Sequence, residues 1–347
     1  MQQYSTVPSR NLIMAEREML AHAQPIKVIS TFGDSKPVPQ NKTDTVVFRR
    51  ALPIDANSFN APSSVNVNDY LLQEGVTPGA RTIQYQDVQV TLQQFGVLMK
   101  LTSKTESLYE DDVPKDMVQL VGEHMGSIEE LISYGVVRGG TNVVYINGAA
   151  RTSVTGVLSL GRVRQCARVI ENAHGMRVTE KLSASPNFAT SPISSAYLVF
   201  IHTDLEADSR NLPGFTPVVE YGAQKPVHER EIGAVEQFRF ITSPYFRPFL
   251  LAGGVNATAG LVLASGVANT GANATDVYPV MVIAKSAWGQ VALKGLDAID
   301  PTYLPAKMKT HANPLGQFGY VGAQFWKNAV RLNENWMVRL EVGASAL

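Results

Sequence analysis

A chain of 347 residues, 45% of them hydrophobic, can bury a sizeable core, on length alone in about two or three packed units. Its 30 basic and 30 acidic side chains cancel, which removes any global field that would draw it to nucleic acid or an anionic membrane. The single cysteine, Cys166, excludes an internal disulfide and a thiolate metal knuckle, and fits a reducing compartment.

The charged fraction, 17%, is below the usual value of about 25%, which suits a surface largely covered by neighbours. The opening MQQYSTVPSR has no apolar run after its charges, so no signal peptide is read, and the Asn-x-Thr triplets at Asn41, Asn256 and Asn273 are then chance occurrences.

Residues 1–43 read as an arm. NLIMAEREMLAHA can form a short amphipathic helix, and VISTFGDSKPVPQNKT after it is extended, with no core of its own. TDTVVFRRALPID (43–55) reads as a strand leading outward, and ANSFNAPSSVNVN (56–68), uncharged and rich in asparagine, as a loop tip. After a turn in LLQEGVTPG (71–79), the segment 81–103 returns as one alternating strand, with Val88, Val90 and Leu92 on one side. Such a two-stranded excursion is marginal alone and needs a surface to lie on.

The spacing of Met117, Val121, Met125, Ile128 and Ile132 predicts a long helix over 113–138, started at Asp111, Asp112 and Pro114 and ended at Gly139-Gly140. A second helix is expected after Ser159, with Leu160, Val163, Ala167 and Ile170 inward and Gly175 closing it. AYLVFI (196–201) and YPVMVIA (278–284) read as buried strands, and DLEADSRN as a helix between them. EIGAVEQFRFITSP (231–244) supplies a further strand with Phe238 and Phe240 around Arg239, and RLNENWMVRLEV (331–342) alternates Trp336, Val338, Leu340 and Val342 against Met337, Arg339 and Glu341.

Residues 248–275 carry no charge, yet their Gly, Asn and Thr content and short apolar pieces point to a hairpin or inserted loop rather than a membrane span, which needs about 20 apolar residues.

No catalytic constellation stands out. His202, Asp204 and Asp208 match no established ligand spacing; they read as a strand-end histidine and a helix-capping Asp204, with a metal-dependent α+β enzyme as the alternative. Cys166 reads as a buried helix residue. RGGT (138–141) is a helix end rather than a phosphate cradle. Arg162, Arg164 and Arg168 form a basic helix edge, solvated or facing another subunit. No catalytic, cofactor-binding or metal residue is assigned, no cofactor is expected, and the chain is not read as an enzyme.

TVVFRR (45–50), LLQEGVTPG (71–79), VTLQQFGVLMKLT (90–102), GGTNVVY (139–145), HTDLEADSRNLPGFTPVVEYG (202–222) and EIGAVEQFRFI (231–241) occur in the order found in one family. In these pieces the sequence resembles the major capsid proteins of tailed bacteriophages related to phage N-four, built on the α+β HK-97-type shell fold. The resemblance implies an N-terminal arm (1–43), an extended loop with flanking strands (44–103), a peripheral domain with a spine helix (104–148), an axial domain (149–300) and return strands to the peripheral domain (301–347).

It also implies self-assembly into hexamers and pentamers of an icosahedral head around double-stranded DNA, touched non-specifically. A scaffolding protein, a portal and a decoration protein are the further partners, and the location is the virion, assembled in the host cytoplasm with no membrane contact. The charged residues of EIGAVEQFRFITSP are then expected at subunit contacts. A phage tail or baseplate protein is the other alternative.

The arm reaches TVVFRR within 50 residues, which leaves no room for a fused scaffold domain and suggests an unprocessed N-terminus. Lys42, Lys100 and Lys104 are the only lysines in 41–104, so a shell without covalent cross-links is expected.

Overall fold

The computed structural model describes residues 27–52, 54, 66–77, 79–108, 113–178, 194–222, 224–255, 274–294, 300–309, 311 and 313–345. The helix expected within 11–23, the tip residues 56–65, the helix start at Asp111-Asp112 and the middle of the uncharged segment, 256–273, lie outside the described residues.

Two sheets and a two-stranded ribbon organise the described residues. The strands are β1 (Asp34–Val38), β2 (Thr45–Ala51), β3 (Tyr85–Thr91), β4 (Gln93–Thr102), β5 (Val143–Tyr145), β6 (Tyr197–Ile201), β7 (Thr216–Pro217), β8 (Glu231–Val235), β9 (Phe238–Thr242), β10 (Tyr278–Ile283), β11 (Trp288–Leu293), β12 (Asp300–Leu304), β13 (Phe318–Arg331) and β14 (Met337–Val342). The larger sheet runs β5-β14-β10-β6-β9-β8-β7. Every residue of β6, β9 and β10 is buried, as expected of unbroken apolar runs covered on both faces.

Alternation divides those faces. Val199, Phe240, Val282 and Leu340 pack with Val163, Cys166, Ala167 and Ile170 of the helix Leu160–Asn172. Leu198, Phe200, Ile241, Met281 and Met337 point the other way, against Tyr134 and Val137 of the long helix Val113–Arg138.

In the five-stranded sheet, β13 is the central element. β4 pairs with it over ten residues, from Phe318↔Thr102 to Lys327↔Gln93, while β12 and β11 share its opposite edge. The long helix lies on this sheet through Met117, Val121 and Met125, which meet Leu101, Val321 and Phe325. Those three helix residues are buried and Ile128 and Ile132 half-buried, so the stripe seen in the sequence is the packed face.

Several readings are corrected. The segment 81–103 is not one strand: it breaks at Leu92, with β3 pairing β2 in the ribbon and β4 pairing β13 in the sheet. EIGAVEQFRFITSP is a hairpin, turned at Glu236 with φ 51°, so it supplies two adjacent strands of the larger sheet. Trp336 belongs to a 3-10 turn, and β14 begins at Met337 with both faces covered, so the alternation across 331–342 is not that of a half-exposed strand. Ser159 caps its helix only through its carbonyl, and the left-handed residue at that helix's end is His174 (φ 55°), with Gly175 following.

The expected divisions at 148 and 300 do not coincide with the sheets. β11 belongs to the five-stranded sheet and β14 to the larger one.

Candidate assembly surface

The ribbon of β2 and β3 pairs from Thr45↔Thr91 to Ala51↔Tyr85. Its base lies on its own body: Val46, Val90 and Leu92 bury against Val38 and Val291, with Phe48 beside them. Gly289 makes room for that ring, because a Cβ there would stand 3.0 Å from Phe48 Cζ and 3.2 Å from Leu332 Cδ1.

Among the described residues beyond Ala51 the covering stops. Ile54, Val67, Leu71, Leu72, Val76 and Ile83 are all exposed, each by more than half. So many large apolar side chains along one excursion are a recognised mark of a protein-contact surface. Arg81 stacks on Tyr70 at 4.6 Å and donates to its hydroxyl at 2.9 Å, which gives the segment a fixed local shape.

Residues 27–38, read as coreless, are docked on the same chain. Val28 and Ile29 are fully buried, and β1 pairs in parallel with β11. The Glu130 carboxylate accepts from the N–H groups of Val28 (3.1 Å), Ile29 (2.8 Å) and Ser30 (3.1 Å). Gln290 donates to the Ser30 carbonyl at 2.7 Å. His228 accepts from the Arg230 N–H through Nδ1, so its Nε2 carries the proton donated to the Lys27 carbonyl at 3.1 Å. Glu129, next to Glu130, is ion-paired with both Lys27 and Lys327.

Sequence reasoning passed over this grip. The available signal was Glu129 at the four-residue spacing of the apolar stripe, where a carboxylate calls for a partner.

The residues weighed for metal chemistry are occupied elsewhere. His202 Nδ1 accepts from the Asp204 N–H at 3.1 Å, so the ring, not Asp204, caps the turn, and burial lowers the ring's pKa against the pull of Asp204. Tyr278 donates to Asp204 at 2.7 Å, whereas Asp208 turns to Ser345, accepting from its N–H at 2.9 Å and its hydroxyl at 2.5 Å. Among the described residues no three His, Cys, Asp or Glu side chains gather as a metal site.

Cys166 is fully buried, and burial pushes its thiol up to about 12. Arg162 donates to the Ile146 carbonyl, Arg164 pairs with Glu236 at the surface, and Arg168 is exposed. In RGGT, Arg331 donates to the carbonyl of Val136, and Arg339 to those of Arg138 and Gly140, so the segment is a capped helix end.

Glu231 and Arg239 are not at a subunit contact. They are buried and paired at 3.0 Å, with the Tyr221 hydroxyl donating to Glu231 at 2.6 Å. Of the charges in EIGAVEQFRFITSP only Glu236 faces outward.

No protein-family model and no curated protein matches the sequence. Solved structures do. The capsid of Ralstonia phage GP4 aligns with a TM-score of 0.62 at 10% identity, covering 92% of this chain and 88% of that one. The capsid of the cyanophage P-SCSP1u aligns at 0.58 and 11% identity, covering 97% and 94%. The head structure of Helicobacter pylori bacteriophage KHP40 aligns at 0.57 and 11% identity, covering 99% and 97%. The chain has the fold of phage capsid proteins. This α+β architecture, the HK-97-type shell fold, extends over nearly the whole length, so the helix, sheets and ribbon described above are the fold's own parts rather than additions to it. No described helix is long and apolar enough to cross a membrane.

Proposed function

We propose that this chain is the major capsid protein of a tailed bacteriophage, a structural subunit without catalytic activity. It assembles into the hexamers and pentamers of an icosahedral head that encloses double-stranded DNA. The observation that carries the reading is the shared capsid fold over nearly the whole chain, joined to a ribbon whose far half holds exposed apolar side chains that a single copy leaves uncovered. Burying such side chains is worth about 1.5–3 kcal/mol each, so six of them supply a substantial drive to associate.

In this reading 27–43 continues an N-terminal arm, the ribbon is the extended loop that lies over a neighbouring subunit, and Val113–Arg138 is the spine of the peripheral domain. A scaffolding protein, a portal and a decoration protein are partners in assembly rather than in chemistry, and the packaged DNA is touched without sequence preference, in keeping with a net charge of zero. The subunit is made in the host cytoplasm and resides in the virion.

Sedimentation velocity and negative-stain microscopy of the purified protein, alone and produced with the neighbouring head genes, test the proposal. Capsomers or closed shells are expected. A monodisperse small oligomer under both conditions would remove the capsid reading and favour an ordinary globular protein, and tubes or rings without shells would favour a tail or baseplate component.

A further inference from the structure

Three arginines from separate parts of the chain meet at one ring. The guanidinium carbons of Arg151, Arg138 and Arg339 lie 3.6, 3.8 and 5.8 Å from the centre of Phe249. Arg138 ends the long helix, Arg151 opens a 3-10 turn, and Arg339 is in β14.

One carboxylate answers them. Glu341, fully buried, takes both forks of Arg151 at 2.8 Å and Nε of Arg339 at 2.9 Å. Glu334, beside Gly140, is already paired with Arg331. Arg339 also donates to the carbonyls of Arg138 and Gly140, so the helix end contributes its partial negative charge of about half a unit. That is well short of the two positive charges left over. Among the described residues no carboxylate is hydrogen-bonded to Arg138, and its Nε is buried without an acceptor. Residues 248–275, which include Phe249 itself, contain no charged side chain to supply one, and the buried Asp276 that follows them turns to the Leu251 N–H at 2.6 Å.

Like charges held this close and partly out of water are costly unless a counter-charge joins them. We propose that Arg138, Arg151 and Arg339 around Phe249 form a binding site for a phosphate-type oxyanion. A doubly charged phosphate matches the two uncompensated charges, where a single carboxylate would leave one. Guanidinium forks donate in parallel pairs to tetrahedral oxygens; the fork of Arg138 has its Nε unused, while Arg151 and Arg339, already bonded to Glu341, add charge beside it. The same oxyanion chemistry comes from free inorganic phosphate, or from nucleic acid, whose phosphodiesters carry one charge each and would have to engage the site in pairs; the experiment separates the two.

The test uses the purified full-length chain. Titration with inorganic phosphate against sodium chloride of equal ionic strength is followed by calorimetry and by thermal unfolding, and a short duplex DNA is titrated by fluorescence anisotropy. Saturable phosphate binding is expected, with a loss of about tenfold or more in affinity in Arg138→Met, and no loss in Arg164→Met, whose arginine is spent on Glu236 at another surface. DNA binding that phosphate displaces, and that Arg138→Met weakens, assigns the phosphodiester; phosphate binding without it assigns the free anion. Should Arg138→Met fail to fold, the wild-type titration and Arg138→Lys, which keeps the charge and loses the fork, carry the test. No phosphate effect beyond that of chloride, or an equal effect in Arg138→Met, overturns the proposal. Shell formation is scored separately, so loss of this site and loss of the capsid reading are distinct results.

Discussion

Glu129 and Glu130 are consecutive on one helix, both hold the segment 27–30, and their environments push their pKa values in opposite directions. Burial raises Glu130 above its ordinary 4.5 in spite of the N–H groups of Ile29, Ser30 and Val28. Burial pushes Glu129 the same way, but the attraction of Lys327 and the hydrogen bonds from Lys27 and Lys327 outweigh it, and the carboxyl ends below 4.5.

The signs of the two stability effects follow. The folded chain holds the Glu130 proton more tightly than the unfolded chain, so stability from this group is complete below 4.5 and falls as pH rises to its folded value. For Glu129 the stability is present above 4.5 and is lost as pH falls through its lowered folded value. Glu130→Gln should flatten the decline on the upper side and Glu129→Gln the decline on the lower side, in denaturant midpoints measured from about pH 3 to about pH 7. Curves that stay parallel to wild type in both variants would contradict the assignment.

Glu130→Ala removes the acceptor for three backbone donors. The expected cost is about 3 kcal/mol, together with protease cleavage near Lys27 in otherwise folded protein. Cleavage unchanged from wild type would mean that β1 and the core hold the segment without the carboxylate.

Two glycines should respond in opposite senses to alanine. At Gly319 a Cβ would lie 2.4 Å from the Leu304 carbonyl oxygen and 2.5 Å from the Ala306 nitrogen, both backbone, so Gly319→Ala should cost about 2 kcal/mol by prying β12 from β13. At Gly161, inside a helix with open space around it, Gly161→Ala should stabilise by up to about 1 kcal/mol. Chemical denaturation of both variants checks the pair.

Leu71→Ser with Leu72→Ser changes only exposed side chains, so the unfolding midpoint should move by no more than about 0.5 kcal/mol in free energy. Shell formation should nevertheless fail. Normal particles from this double variant would show that the far half of the ribbon is not the assembly contact.

Cys166 should resist iodoacetamide at neutral pH in the folded chain and react at the rate of unfolding in denaturant, because its thiol is buried and raised to about 12. Fast alkylation of native protein, read by mass spectrometry, would contradict that burial.

What could be read from the sequence was local. The stripe from Met117 to Ile132 and the glycines after Arg138 mark the long helix, and the apolar runs at 197–201 and 278–283 mark strands covered on both faces. The docking of residues 27–38 was not legible, since β1 is held by β11, more than 250 positions away, and by a carboxylate about 100 positions away. The break at Leu92 did leave a mark that the reading passed over: the apolar phase of Val88, Val90 and Leu92 slips by one residue at Gln93-Gln94 and resumes at Phe95, Val97, Met99 and Leu101, where the partner changes from β2 to β13. At the proposed anion site, Arg138, Arg151, Phe249 and Arg339 are too far apart in sequence for any spacing to announce them.

β14 lies between β5 and β10, inside the larger sheet rather than at its rim. During synthesis, therefore, β5 waits unpaired beside a gap until residue 342 has been made, and β10 shows one open edge for as long. The strands from β10 to β7 can pair before then, but β5 cannot join them and that edge stays open while most of the chain is already translated. Completion of the sheet is thereby tied to completion of that strand, and a truncated product lacking it keeps β5 unpaired and the edge of β10 exposed.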